Sequence, residues 1–135
     1  MKRLLIVWLT VCFSSLAFSA SQQELDEFYA DQENELFYME SKSKGHIDKN
    51  RVELIAACHK IAAGKETSNC GCYEEELPKV SDEELFFDNL TSLRYQLAIN
   101  NAKKEGDEKL AQELYEKRIA RNTVLVKLAK ICGPM

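Results

Sequence analysis

The chain predicts an all-α protein: a small disulfide-linked helical bundle of about four helices, the last two forming a long antiparallel hairpin. Three observations carry this expectation. Breakers are scarce, with five glycines and two prolines in 135 residues, too few for the many turns of a β-sandwich. Glu, Lys, Leu and Ala, all good helix formers, are abundant. Apolar residues also recur at helical spacing behind Ser and Asp caps.

Residues 1–19 read as a secretory leader that is removed from the mature chain. Lys2 and Arg3 give a positive start, Leu4 to Phe13 an apolar run, and Ala17-Phe18-Ser19 the small residues that a signal peptidase reads. The run is too short to span a bilayer and no stop-transfer segment follows, so no transmembrane segment is expected after cleavage. The short basic start resembles bacterial leaders, which makes the periplasm or the exterior the expected location. Cleavage after Ser19 removes Cys12 and leaves Cys58, Cys70, Cys72 and Cys132. Four thiols in an oxidising compartment predict two disulfides.

The mature chain has the length of one domain. Its formal net charge is −6, because the −4 of the whole sequence loses Lys2 and Arg3. That balance argues against nucleic acid and against an anionic membrane surface, and leaves another protein as the expected partner. Charge is segregated along the chain. Ala20 to Ser41 holds seven acidic residues and no Lys or Arg, whereas Arg94 to Lys130 holds nine basic residues against five acidic. Such blocks either attract each other across the fold or meet a partner.

The first helix is expected from the capping box Ser21-Gln22-Gln23-Glu24 to about Glu40. Its segment, 20–41, is acidic and aromatic, and a polar linker at Lys42 to Ile47 separates it from a disulfide-linked domain at 42–135. Phe28, Tyr29, Phe37 and Tyr38 make it a candidate arm for contacting a partner. The second helix is expected from Asp48 as N-cap to Gly64 as C-cap, with Val52, Ile55, Cys58 and Ala62 on one face. A short piece, Tyr73 to Leu77, follows and stops at Pro78.

The third helix opens with the box Ser81-Asp82-Glu83-Glu84 and runs to about Lys104. Phe86, Leu90, Leu93 and Leu97 form its core stripe, with Leu85, Tyr95 and Ile99 opposite. A helix apolar on two faces is either central in the bundle or carries a contact surface, and a central position is expected. The fourth helix is expected from Asp107 to Cys132, where Gly133-Pro134 is a strong stop. Arg118, Arg121 and Asn122 project onto its apolar half. The arginines either snorkel and pair with carboxylates such as Asp88 or Glu84, or form a half-buried cationic pocket for an anion or a partner's carboxylate. A helix break near Arg121-Asn122-Thr123 would dissolve that pattern.

Four cysteines allow three pairings. Two of them clip the Cys70/Cys72 loop to Cys58 and to Cys132. Cys58–Cys70 with Cys72–Cys132 is preferred because it closes the shorter loop. The third pairing would bond Cys70 to Cys72 across a tight Gly71 turn and give a strained, exchangeable disulfide. Glu74, Glu75 and Glu76 oppose that chemistry, since a reactive thiolate needs a cationic neighbour. Cys58, His59, Cys70 and Cys72 lack metal-ligand spacing, so no metal and no cofactor are expected. No hydrolase, metalloprotease or phosphate-loop motif is present. The expected function is therefore an exported, non-catalytic helical binding protein of inhibitor, immunity or chaperone type. The alternative is thiol–disulfide exchange at Cys70-Gly71-Cys72.

Overall fold

The computed structural model describes residues 22–63 and 68–135. The leader, the Ser21 box and the Gly64 cap lie outside the described residues. Among them the structure is all-helical, with no strand and with seven α-helices instead of about four: α1 Gln22–Tyr29, α2 Gln32–Ser43, α3 His46–Ala62, α4 Cys70–Glu76, α5 Asp82–Lys104, α6 Glu108–Ile119 and α7 Val124–Cys132. A single 3-10 turn, Leu77–Lys79, joins α4 to α5.

The higher count arises where caps cut helices that looked continuous. The expected first helix is two, α1 and α2. The Asp31 carboxylate accepts from the backbone N–H groups of Glu33 and Asn34 and starts α2 afresh. The polar linker is a two-residue turn, because Gly45 adopts φ +69° and α3 begins at His46, with Asp48 inside its first turn rather than capping it. The fourth helix is α6 and α7, broken at Ala120–Thr123. Thr123 caps the new helix by accepting from the Val126 N–H at 3.3 Å. Elsewhere the expected caps hold: Ser81 accepts from the Glu84 N–H and Asp107 from the Leu110 N–H.

One large core gathers Tyr38, Ile47, Leu77, Leu85, Phe86, Leu90, Val124 and Leu128 around the buried sulfurs of Cys58 and Cys70. Phe28 and Tyr29 of α1 and Tyr38 of α2 pack in it, so these two helices lie on the same body as the rest. The cross-links are Cys58–Cys70 and Cys72–Cys132, with Cα atoms 5.8 and 5.6 Å apart, within the span a disulfide requires. They tie α4 to α3 on one side and to α7 on the other. Tyr73 completes the knot by donating its hydroxyl to the Gly133 carbonyl at 2.8 Å, while Asn69 donates to the Pro134 carbonyl.

A second, smaller core of Ile99, Ala102 and Ala111, with Leu114 against it, joins α5 to α6. The expected stripe of α5 therefore divides. Phe86 and Leu90 are buried, but Leu93 and Leu97 are 53% and 54% exposed. Val52 of α3 is likewise exposed, because the buried face of that helix runs through Ile47, Ile55 and Cys58 instead.

Candidate functional site

The break between α6 and α7 borders a cleft of about 570 Å³ between α3, α5, α6 and α7. Apolar side chains line it from three directions: Leu54 from α3, Tyr115 and Ile119 from the last turns of α6, and Leu125 and Val126 from the first turn of α7. Tyr115, Ile119, Leu125 and Val126 stay exposed, while Val124 and Leu128 turn the other side of α7 into the core.

Two arginines reach this cleft, and their situations differ. Arg121 is fully engaged. Its guanidinium donates to Asp88 Oδ1 and to Ser92 Oγ, both at 2.9 Å, and stacks over the rings of Phe87 and Tyr95. The other carboxylate oxygen of Asp88 accepts from the Val124 N–H at 3.2 Å, at the positive end of α7. Burial pushes the Asp88 carboxyl above the usual range, and Arg121 opposes that rise. Lys127 forms a second buried ion pair with Glu84 beneath α7. The carboxylate partners expected for the arginines are thus found for Arg121, while Glu84 is taken by Lys127.

Arg118 is half-buried and has no acidic partner among the described residues. Its one hydrogen bond goes to Gln96 Oε1 of α5, at 2.5 Å. Asn89 and Tyr115 line the same cleft, and neither side chain has a hydrogen-bond partner among the described residues. Three polar groups therefore border an apolar cleft with donors to spare.

The four aromatic residues expected to face a partner are placed differently. Tyr38 is buried, and Phe28 and Tyr29 are half-buried. Phe28 packs edge-on against Phe87 at 5.0 Å, and Tyr38 against Phe86 at 5.4 Å. Tyr29 and Tyr38 both donate 2.7 Å hydrogen bonds to Glu83, one to its carbonyl and one to its carboxylate. Burial pushes both phenols above their ordinary value. These three rings clamp α1 and α2 onto α5, so an arm with four free aromatics is not what the chain forms. Phe37 alone keeps about half its surface in solvent.

Cys70, Gly71 and Cys72 lie in the first turn of α4. Two residues apart on a helix point about 200° apart, so each sulfur faces a different neighbour and Cys70 is not bonded to Cys72. Gly71 does not form the tight turn that such a bond needs. Nor do the described residues bring His, Cys, Asp or Glu together into a group able to hold a metal. His59 instead meets Glu74 at 2.6 Å on the surface.

Sequence reasoning picked out Arg118 and Arg121 but missed Gln96, Asn89, Tyr115 and Leu54. The signal for the break was present in Thr123, an N-cap residue type directly before the apolar run Val124-Leu125-Val126. No helix of the described residues is long and apolar enough to cross a membrane. Comparison with protein-family models, with curated proteins and with solved structures gives no match.

Proposed function

We propose that this chain is an exported, non-catalytic binding protein that holds an acidic, apolar segment of a partner protein in the α6–α7 cleft. One observation carries the reading: Arg118 is a half-buried cation with no acid opposite it, set beside an apolar wall. A carboxylate flanked by apolar side chains satisfies both features at once, through a charge-assisted hydrogen bond and burial of Ile119, Leu125 and Val126. Asp88 and Arg121, the other charged groups of the cleft, hold each other and the α7 N-terminus together. That arrangement favours a rigid docking site over acid–base chemistry, which needs a group poised to exchange its proton. Two disulfides within a small helical body fit an extracytoplasmic setting.

Selection of random displayed peptides on the mature protein tests the reading. The expected winners carry Asp or Glu next to apolar residues. Arg118→Met, which keeps the apolar stem, is expected to weaken them by about tenfold or more. Peptides without a carboxylate, or binding indifferent to Arg118→Met, would remove the cleft from consideration. Turnover in an insulin-reduction assay, lost on Cys72→Ser, would replace it with thiol–disulfide exchange.

A further inference from the structure

The α6–α7 cleft does not end at α5. Asn89 lines it, and the same residue lines a second hollow where α2, α3 and α5 meet, beside Phe37, Ile47, Asn50 and Leu93. On α3, His46, Asn50 and Leu54 fall at i, i+4 and i+8, on one face of the helix. His46 and Asn50 border the second hollow and Leu54 borders the cleft. The two hollows therefore form one trough along α3, joined at Asn89. At one end stands the Arg118 guanidinium, with no acidic partner among the described residues. At the other, Phe37 and Leu93 keep 47% and 53% of their surface in solvent.

Two carboxamides in the middle of the trough point to the form of its occupant. The side chains of Asn50 and Asn89 are half-buried, and neither has a hydrogen-bond partner among the described residues. No polar side-chain atom among those residues is buried without a partner, so these amides are open to whatever fills the trough. A carboxamide sets a C=O acceptor and N–H donors side by side. That pair matches the N–H and C=O that an extended peptide residue leaves free, whereas a helix has already used those groups within itself. A helix lying here would leave both asparagines unsatisfied beneath it, which is costly. From His46 to Leu54, α3 rises about 12 Å, the reach of about four extended residues.

Resting on the reading that the α6–α7 cleft holds an acidic segment, we infer that this segment runs extended along the whole trough. Its carboxylate meets Arg118, its backbone meets Asn89 and Asn50, and a large apolar side chain sits against Phe37 and Leu93. The probes are the displayed peptides enriched on the mature, oxidised protein, resynthesised free in solution. Their expected pattern is an Asp or Glu with a large apolar residue about four or more positions away. Pro should be accepted between the two, where a bound helix would refuse it. N-methylation of the backbone between the anchors should weaken binding by about tenfold or more. Asn50 and Leu93 lie outside the α6–α7 cleft and on different helices. Asn50 has no hydrogen bond to lose and Leu93 is already half in solvent, so Asn50→Leu and Leu93→Glu should keep helical content and unfolding midpoint. Each should weaken the peptides by about tenfold or more, and Leu93→Glu should lose that effect on peptides whose apolar anchor is replaced by Ala. Peptides weakened by Arg118→Met but indifferent to folded Asn50→Leu or to folded Leu93→Glu would overturn the extended trough and leave the cleft reading standing. Peptides whose bound form is helical by transferred nuclear Overhauser effects would overturn it too. Indifference to all three substitutions, or no enriched peptide, would overturn both.

Discussion

The two cores of this molecule are built by different means. Around α3, α4, the first half of α5, and α7, apolar burial is reinforced by both disulfides, by the buried Arg121–Asp88 and Lys127–Glu84 pairs, and by the tyrosine bonds to Glu83 and Gly133. Where α5 continues beyond Leu93 and pairs with α6, a few side chains around Ile99, Ala102 and Ala111 are the whole core, and no disulfide crosses. The contrast shows where a small chain puts its cross-links. Short helices such as the seven residues of α4 are marginal on their own and need tertiary fixing. The long α5 can propagate outward with one neighbour.

Native-state hydrogen exchange would sharpen this comparison. Amides of residues 97–119 should exchange through a local opening, while those around Cys58, Tyr73 and Leu85 should exchange only on global unfolding. Equal protection in both regions would merge them into one cooperative unit.

Substitutions should rank accordingly. The largest loss is expected for Arg121→Met, about 3–5 kcal/mol, because it strands the buried Asp88 carboxylate. Adding Asp88→Asn should recover part of that loss in the double variant, read from urea denaturation. Replacing Cys58 and Cys70 together by Ser should cost about 3 kcal/mol, as for a loop of similar length. Ile99→Ala should cost roughly 2–3 kcal/mol and should increase exchange at residues 97–119 alone. Asp107→Ala, which removes the α6 cap, should cost about 1 kcal/mol, again with its exchange effect confined to the α5–α6 pair.

The smallest effect is one of pH. The Arg51 guanidinium beside Asp82 holds its carboxyl below the usual range, with Lys42 assisting. Its contribution is therefore full above the ordinary carboxylate range and lost as pH falls through the lowered folded value. Asp88, whose carboxyl is pushed up, contributes in the opposite sense: stability is greatest below the ordinary value and declines as pH rises through the folded one. Thermal melts of Asp82→Asn and the parent should differ at neutral pH and converge in acid.

Much of the fold was legible, for identifiable reasons. Ser81 and Asp107 lie outside the packed core and satisfy helix N–H groups locally, so their caps read directly from spacing. Asp31 and Thr123 use the same chemistry. The apolar pattern around them can be drawn through on one helix, so Asp31 is hidden in the sequence and the break near Arg121-Asn122-Thr123 stands there only as an alternative. For the candidate site, Arg118 and Arg121 were visible as cations on an apolar face. Their separation into one paired and one unpaired group depends on Asp88, which lies 33 residues from Arg121 in the chain, and no local pattern encodes that.

By itself the sequence determined the helical class, the caps at Ser81 and Asp107, and the demand for two disulfides. Helix formation and capping are local, and the four cysteines beyond residue 19 are an even number that two disulfides can use up. Tertiary structure alone decided three things: which half of the α5 stripe is covered, that the aromatic rings of α1 and α2 clamp inward, and that Arg121 meets Asp88 beside the break in the last helix. Each of these turns on which surfaces meet, and burial free energy is assigned only when distant segments come together.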